Sequence, residues 1–351
     1  MAAKYLGLKR NLKKAALIYN PISGEKNERR LAQVEAAAQV LRQGGIETCV
    51  LASTGPRSAG QQARAQVEAG CDAIFACGGD GTIHDVLQGM VFSPAVLALI
   101  PMGTANALAH DLRIPRHPAA AAHAALTAEP RRIAVGHVAY QDGAGESTSR
   151  YFTVALGAGV DAHLFYRLQA AMKHRMGMNA YYAKAFQLWL THDLTPFEVE
   201  FVDLRSGLTR KETVTQVLAV RITQFGGVLR KLAPGAALQR NDLRIILFKT
   251  KSRMPYLLYL MRAMLNADFP VPGVELVNAA KLLCRPVAHA NAAKKSRIYA
   301  EADGELLATI PIEVTMVPSA LTVLVPQKLA TEKVRDHLMA TAAPPMPRPV
   351  S

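Results

Sequence analysis

Acidic and aromatic residues are the scarce classes in this 351-residue sequence. Aspartate and glutamate number 27 against 41 lysines and arginines, which leaves a net charge of +14. Such a field favours polyanions: nucleic acid, nucleotides or anionic lipid headgroups. Aromatics make up only 6% of the chain, and the basic residues are scattered rather than gathered into one arm. Base stacking therefore has little to work with, and the reading turns away from nucleic acid toward nucleotide and membrane. Cysteine is sparse as well. Cys49, Cys71, Cys77 and Cys284 form no C-x-x-C pair, so neither a zinc site nor a disulfide framework is expected, and a reducing compartment is. The ten histidines show no metal-ligand spacing. No apolar run reaches the roughly 18–20 residues of a membrane span. The apolar run Ala15–Tyr19, behind a basic N-terminus, is too short for a signal peptide. The expectation is a cytoplasmic protein, peripheral on the inner membrane face at most. Absence of G-x-x-x-x-G-K-[ST] and of a well-placed G-x-G-x-x-G excludes a P-loop enzyme and an ordinary dinucleotide oxidoreductase.

What is present divides the chain in two. Half of the residues are apolar, ample for more than one core. Up to residue 130, buried strand-like runs (Ala15–Tyr19, Ile46–Leu51, Ala73–Cys77, Ala95–Ile100) alternate with helical ones (Glu25–Gln43, Arg57–Glu68, Ile83–Met90). Continuous apolar strands interleaved with helices predict a Rossmann-like parallel sheet covered on both faces. From 131 to 325 short strand-like runs follow one another: Arg132–Tyr140, Tyr151–Leu156, Phe197–Asp203, Thr213–Ile222, Asp242–Phe248, Arg297–Ala302 and Ile312–Met316. They predict an antiparallel β domain holding two apolar helices, Ala180–Leu190 and Tyr256–Leu265. Residues 326–351 read as a helix and a proline-rich tail expected to be disordered.

Three turns carry the chemistry. Gly78-Gly79-Asp80-Gly81-Thr82 lies between a strand and a helix, where glycines let the backbone approach phosphate and the helix N-terminus offers N–H groups to an anion. Asn20-Pro21-Ile22-Ser23-Gly24 closes the first strand, and Gly103-Thr104-Ala105-Asn106 follows the fourth. Taken singly, Ser23 and Thr104 read equally well as helix caps. In a parallel sheet all three turns fall on one edge, the place where open α/β sheets bind ligands. Asp303-Gly304 reads as a two-residue hairpin turn, with Glu305 just after it.

The runs NPISG, GGDGT and GTANALA, in this order and spacing, resemble the catalytic domain shared by diacylglycerol, sphingosine and ceramide kinases. The likeness continues through Gly157–Ala162, Lys173–Tyr181, Phe225-Gly226-Gly227 and Asp303-Gly304-Glu305. It implies an N-terminal nucleotide domain, a C-terminal β-sandwich and an active site in the cleft between them. It further implies ATP and Mg²⁺ as cofactors, and a lipid hydroxyl at an anionic membrane surface as acceptor. It allows a homodimer. On this resemblance ATP is held by Asn20, Pro21, Ser23, Gly24, Thr54, Gly78, Gly79, Gly81, Thr82, Thr104 and Asn106. The catalytic acids come from Asp80, Asp303 and Glu305. Asp85, Asp161 and Arg175 face the substrate or its phosphates. A carboxylate is needed because an alcohol is a poor nucleophile until its proton has somewhere to go. Two departures stand out. His84-Asp85 replaces an Asn-Glu pair, and Gln239-Arg240 replaces acids that hold a structural Mg²⁺ in many bacterial diacylglycerol kinases, so a protein-bound metal ligand set stays unassigned. Two other readings remain open: an NAD kinase, which shares GGDGT, and a non-catalytic lipid- or nucleotide-binding pseudokinase.

Overall fold

A computed structural model describes residues 12–21, 27–160, 194–225, 232–287 and 297–327. The chain opens with β1 (Lys14–Tyr19), α1 (Asn27–Gln43), β2 (Glu47–Ala52), α2 (Ser58–Glu68), β3 (Ala73–Gly78), α3 (Asp80–Met90), β4 (Val96–Pro101), α4 (Ala107–Asp111) and α5 (Pro118–Leu126). Strands β2-β1-β3-β4 pair in parallel, in that order. Alternate side chains of these strands serve opposite faces. Ile18, Ile74, Ala76, Leu97 and Leu99 pack toward α2 and α3, while Leu17, Phe75, Ala98 and Ile100 pack toward α1 and α5. Both faces are buried, so the strands read as unbroken apolar runs and not as an alternating pattern. The predicted parallel α/β half is therefore observed.

The remainder is antiparallel: β5 (Glu129–Gln141), β6 (Ser147–Phe152), β7 (Ala155–Gly159), β8 (Phe197–Val202), β9 (Thr209–Val214), β10 (Gln216–Val220), β11 (Leu243–Phe248), α6 (Met254–Leu265), β12 (Val274–Ala279), β13 (Lys281–Pro286), β14 (Tyr299–Ala302), β15 (Glu305–Thr309) and β16 (Ile312–Val325). Strands β12-β11-β10-β7-β14-β15 form a six-stranded sheet. It packs face to face on β5, β8, β13 and β16 through Phe197, Phe201, Leu282, Val314, Leu156, Val217 and Ile245, as a sandwich requires. Long β16 joins the halves. It pairs antiparallel with β5 along its length and in parallel with β4 at Val323–Leu97, so one ten-stranded sheet runs through both.

Two runs that read as single strands are broken. Tyr151–Leu156 divides at Thr153 between β6 and β7, and Thr213–Ile222 divides at Thr215 between β9 and β10. Each break moves the chain from one sheet of the sandwich to the other. An apolar run carries no mark of such a corner, because both sides of it are buried. The predicted helix Ala180–Leu190, the tail beyond residue 327, and the candidate residues Ser23, Gly24, Asp161 and Arg175 lie outside the described residues. Among the described residues no helix is long and apolar enough to cross a membrane.

Candidate functional site

Strand register assembles the site. Tyr19 lies opposite both Ala52 and Cys77, and Gly78 lies opposite Pro101, so β1 to β4 end level with one another. The loops after them are stitched side by side: Ser53 N–H donates to Tyr19 O at 2.8 Å, and Met102 N–H to Gly78 O at 2.9 Å. Asn20, Ser53, Gly79 and Gly103 thus share one sheet edge. The loops after β3 and β4 touch so closely that a Cβ on Gly103 would stand 2.5 Å from the Gly79 Cα. A Cβ on Gly78 would meet the Thr82 hydroxyl at 2.4 Å, which explains glycine before the first turn of α3.

Asp80 opens α3 but turns toward the Gly103–Asn106 loop after β4. Its carboxylate accepts N–H bonds from Asn106 at 2.9 Å and Ala107 at 2.7 Å, so it caps α4 from another element. Burial raises its pKa, the two amides pull the other way, and nearby Asp303 adds to the rise. Asn106, at φ 49°, spends its own amide on Gly103, donating to the carbonyl at 2.7 Å and accepting from the N–H at 3.1 Å. Both residues shape the loop. Thr54 and Thr104 are exposed at loop tips. Ser58 Oγ receives the N–H groups of Thr54 and Gly55 at 3.0 and 3.1 Å and fixes the turn entering α2.

The late acids come from the hairpin β14–β15. Asp303 and Gly304 adopt φ 51° and 83°, the left-handed pair that a two-residue hairpin loop with this twist demands. Asp303 is buried. One oxygen accepts from Val154 and Ala155 N–H at 2.8 and 3.1 Å, and the other from Thr153 N–H at 2.9 Å. His84 Nδ1 stands 3.5 Å from the same second oxygen. Asp303 therefore ties the hairpin to the break between β6 and β7, and its lone pairs are spent there. The turn delivers Glu305 across to the N-terminus of α3, where Oε1 would lie 2.5 Å from a Cβ on Gly81. Glu305 keeps contact with solvent, but its carboxylate faces the cleft wall. Partial desolvation raises its pKa, Asp85 adds to the rise, and His84 and Arg57 oppose it.

Glu305 thereby closes one side of a cleft of about 390 Å³ between the halves. Asn20, Ser53, Gly79, Gly81, Thr82, His84, Asp85 and two arginines, Arg57 and Arg150, line the rest. Asp85 accepts the Ala59 N–H at 3.1 Å and so caps α2 while facing the cleft. Anionic phosphates fit this lining, since glycines, the α3 N-terminus and two arginines contribute to it. Sequence reading missed both arginines as site residues. Arg57 directly follows Ser53-Thr54-Gly55-Pro56, so that run held a signal for it. Arg150 lies on β6, with no local cue.

At the Gln239-Arg240 departure, Arg240 Nε bonds Asp242 at 2.6 Å, and its Nη2 reaches the other oxygen, which also accepts from Asn278 at 3.1 Å. Beside it, fully buried Arg221 donates to the carbonyls of Ala134 and Leu238 at 2.8 and 3.0 Å. Side-chain cations occupy the neighbourhood, and Asp242 has both oxygens engaged.

Comparison with known proteins follows the same division. The profile of the diacylglycerol kinase catalytic domain matches residues 14–138, and that of the YegS C-terminal NAD kinase beta sandwich-like domain matches residues 154–325. A diacylglycerol kinase of Bacillus subtilis (strain 168) is 32% identical over 242 residues, which is 68% of this chain and 74% of that one. One from Staphylococcus aureus (strain bovine RF122 / ET3-1) is 23% identical over 330 residues, 93% of this chain and 97% of the relative. A crystal structure of a diacylglycerol kinase from Bacillus anthracis str. Sterne superposes with TM-score 0.64 at 16% identity, covering 90% of this chain and 98% of that one. A second structure from that organism reaches TM-score 0.68 at 18% identity over 90% and 98%. At that identity the superpositions establish the fold.

Proposed function

This chain belongs to the diacylglycerol kinase family, and from that membership together with the cleft we propose that it transfers the γ-phosphoryl of ATP to the hydroxyl of a lipid. The observation that carries the reading is the placement of Glu305 over Gly81, at the positive end of α3, where two chain-distant elements meet.

ATP binds with its phosphates against Gly79, Gly81 and the first N–H groups of α3, and Arg57 and Arg150 offset their charge. Asn20 and Ser53 line the same wall. The acceptor hydroxyl enters beside Glu305. Its carboxylate takes the hydroxyl proton as the oxygen attacks phosphorus, and ADP leaves on the opposite side. A raised pKa suits this role, because the base then binds the proton more strongly than a free glutamate would. Asp80 and Asp303 act as positioning residues, the first holding the Gly103–Asn106 loop and the second aiming the hairpin. Mg²⁺ travelling with the nucleotide would spread the charge of the transferred group, and Asp85 is the remaining cleft acid able to face it.

The test is turnover of ATP against diacylglycerol, monoacylglycerol, ceramide and a sphingoid base, with the product identified by mass. A phosphorylated lipid with release of ADP is expected. Phosphate appearing only in NADP when NAD is supplied, or no lipid product despite nucleotide binding, overturns the proposal.

A further inference from the structure

Helix α6 crosses the outer face of the six-stranded sheet with one side firmly held. Tyr256 stacks on Phe248 at 4.3 Å between ring centres, and Tyr259 meets the same ring edge-on at 5.5 Å. The Tyr259 hydroxyl donates to Leu232 O at 2.7 Å. At 100° per residue, Tyr256, Tyr259 and Ala263 share the inner face, and all three are buried. The opposite face carries Met254, Leu257, Met261, Met264 and Leu265, every one exposed and no polar residue among them, with Leu260 exposed on its flank. Leu265 is 70% exposed, Met254 59% and Met264 50%. An ordinary surface helix places its charges there. Isolated exposed apolar residues are commonplace, but a continuous stripe of this kind marks a contact surface.

The charges around the stripe indicate what covers it. From Lys249 to Ala267 the chain carries Lys249, Lys251, Arg253 and Arg262 and no acid. The first acid beyond, Asp268, is paired with Arg262 at 2.7 Å. Lys249 binds Glu212 and Glu275, and Lys251 is exposed at the N-terminal end of the stripe. An apolar band with Lys251 and Arg253 at its N-terminal end, on a chain of charge +14, is complementary to a bilayer with anionic headgroups. We propose that the outer face of α6 is the membrane-docking surface of this protein, inserting Leu257, Met261, Met264 and Leu265 among the acyl chains of an anionic leaflet. The sheet beneath α6 carries Glu305 at the start of its edge strand β15, so docking would hold the catalytic sheet at the source of its acceptor. This inference rests on the lipid-kinase reading for its purpose, though not for its geometry.

The experiment compares the parent with Met261→Glu/Met264→Glu and with Lys251→Glu. Binding is read by co-sedimentation with phosphatidylcholine vesicles, with and without about one third phosphatidylglycerol. Parent binding should need phosphatidylglycerol and weaken as salt rises. The double variant should partition at least roughly tenfold less, and Lys251→Glu about fivefold less. Turnover of a dispersed short-chain diacylglycerol should stay within about twofold of the parent in both, because the cleft is untouched. Unchanged vesicle binding by the double variant overturns the proposal. So does its conversion of a dimer to a monomer, which assigns the face to a second copy, or a large fall in thermal midpoint, which assigns it to packing within the chain. A parent that binds vesicles through α6 yet phosphorylates no acceptor, dispersed or embedded, sinks the kinase reading and leaves the docking surface standing.

Discussion

Replacing Glu305 by glutamine separates the chemistry from the architecture. The amide keeps the shape of the side chain but takes no proton. Loss of a general base costs about 10²–10⁴ in rate. A fall of about 10³ in kcat is therefore expected, equivalent to roughly 4 kcal/mol of transition-state stabilisation. ATP affinity should hold or rise, since a negative charge facing the phosphates disappears while Arg57, Arg150 and the glycine loop stay in place. The pH dependence has a definite sign. The cleft raises the Glu305 pKa above 4.5, so the base is silenced as pH falls through a value higher than that of a free glutamate, and activity should show this acid limb. The variant should lack it. Stability moves the opposite way. Between 4.5 and the raised value the native state holds the proton more tightly than the unfolded chain does, so stability declines as pH rises through that window. Above the window the ionised, partly desolvated carboxylate is a net cost that glutamine removes. The thermal midpoint of the variant at pH 8 should therefore equal or exceed that of the parent, and the two should converge near pH 4. Steady-state kinetics across pH, nucleotide titration and thermal unfolding supply the readings. Activity within about tenfold of the parent, or an acid limb that survives, refutes the assignment of Glu305 as base.

Other outcomes follow from the same geometry. Asp80→Asn turns an NH₂ group toward the Asn106 and Ala107 amides, so a loss of about 1–3 kcal/mol in unfolding free energy is expected along with weaker ATP binding, read by urea titration and nucleotide titration. The pair Gly81→Ala and Gly103→Ala should divide by readout. The first displaces the tip of Glu305 and loses turnover with the fold intact, whereas the second meets the Gly79 backbone and loses stability, checked by kinetics and circular dichroism. Asp303→Asn removes the charged acceptor of the Thr153, Val154 and Ala155 amides and should cost about 3 kcal/mol of stability, with the acid limb of the pH profile left where it was. Chelation by EDTA should leave the thermal midpoint of nucleotide-free protein unchanged, because Arg240 and Asn278 occupy Asp242, while turnover still needs added Mg²⁺; a chelator-induced fall of about 3 °C or more would place a structural cation after all.

The amino-acid sequence alone determined the parallel half almost element by element. Apolar runs of strand length between helix-length segments leave few other arrangements, and glycine-rich turns after each strand fall on one edge once the strands are parallel. It also determined the Asp303-Gly304 turn, because so few residue pairs tolerate two successive left-handed conformations. Only the tertiary structure decided which of Asp80, Asp303 and Glu305 faces the cleft. Asp80 stands in the most distinctive motif of the chain, yet its oxygens are consumed by amides of α4, and Asp303 is likewise consumed by the β6–β7 break. Glu305 is left as the hairpin acid that reaches the glycine loop. Hydrogen-bond partners so distant in the chain have no local signature. Nor do Arg150, which enters from another strand, or the corners at Thr153 and Thr215, where burial on both sides hides the change of sheet. The outward face of α6 belongs to the same class: an apolar helix reads as core until the fold shows which of its sides the core has used.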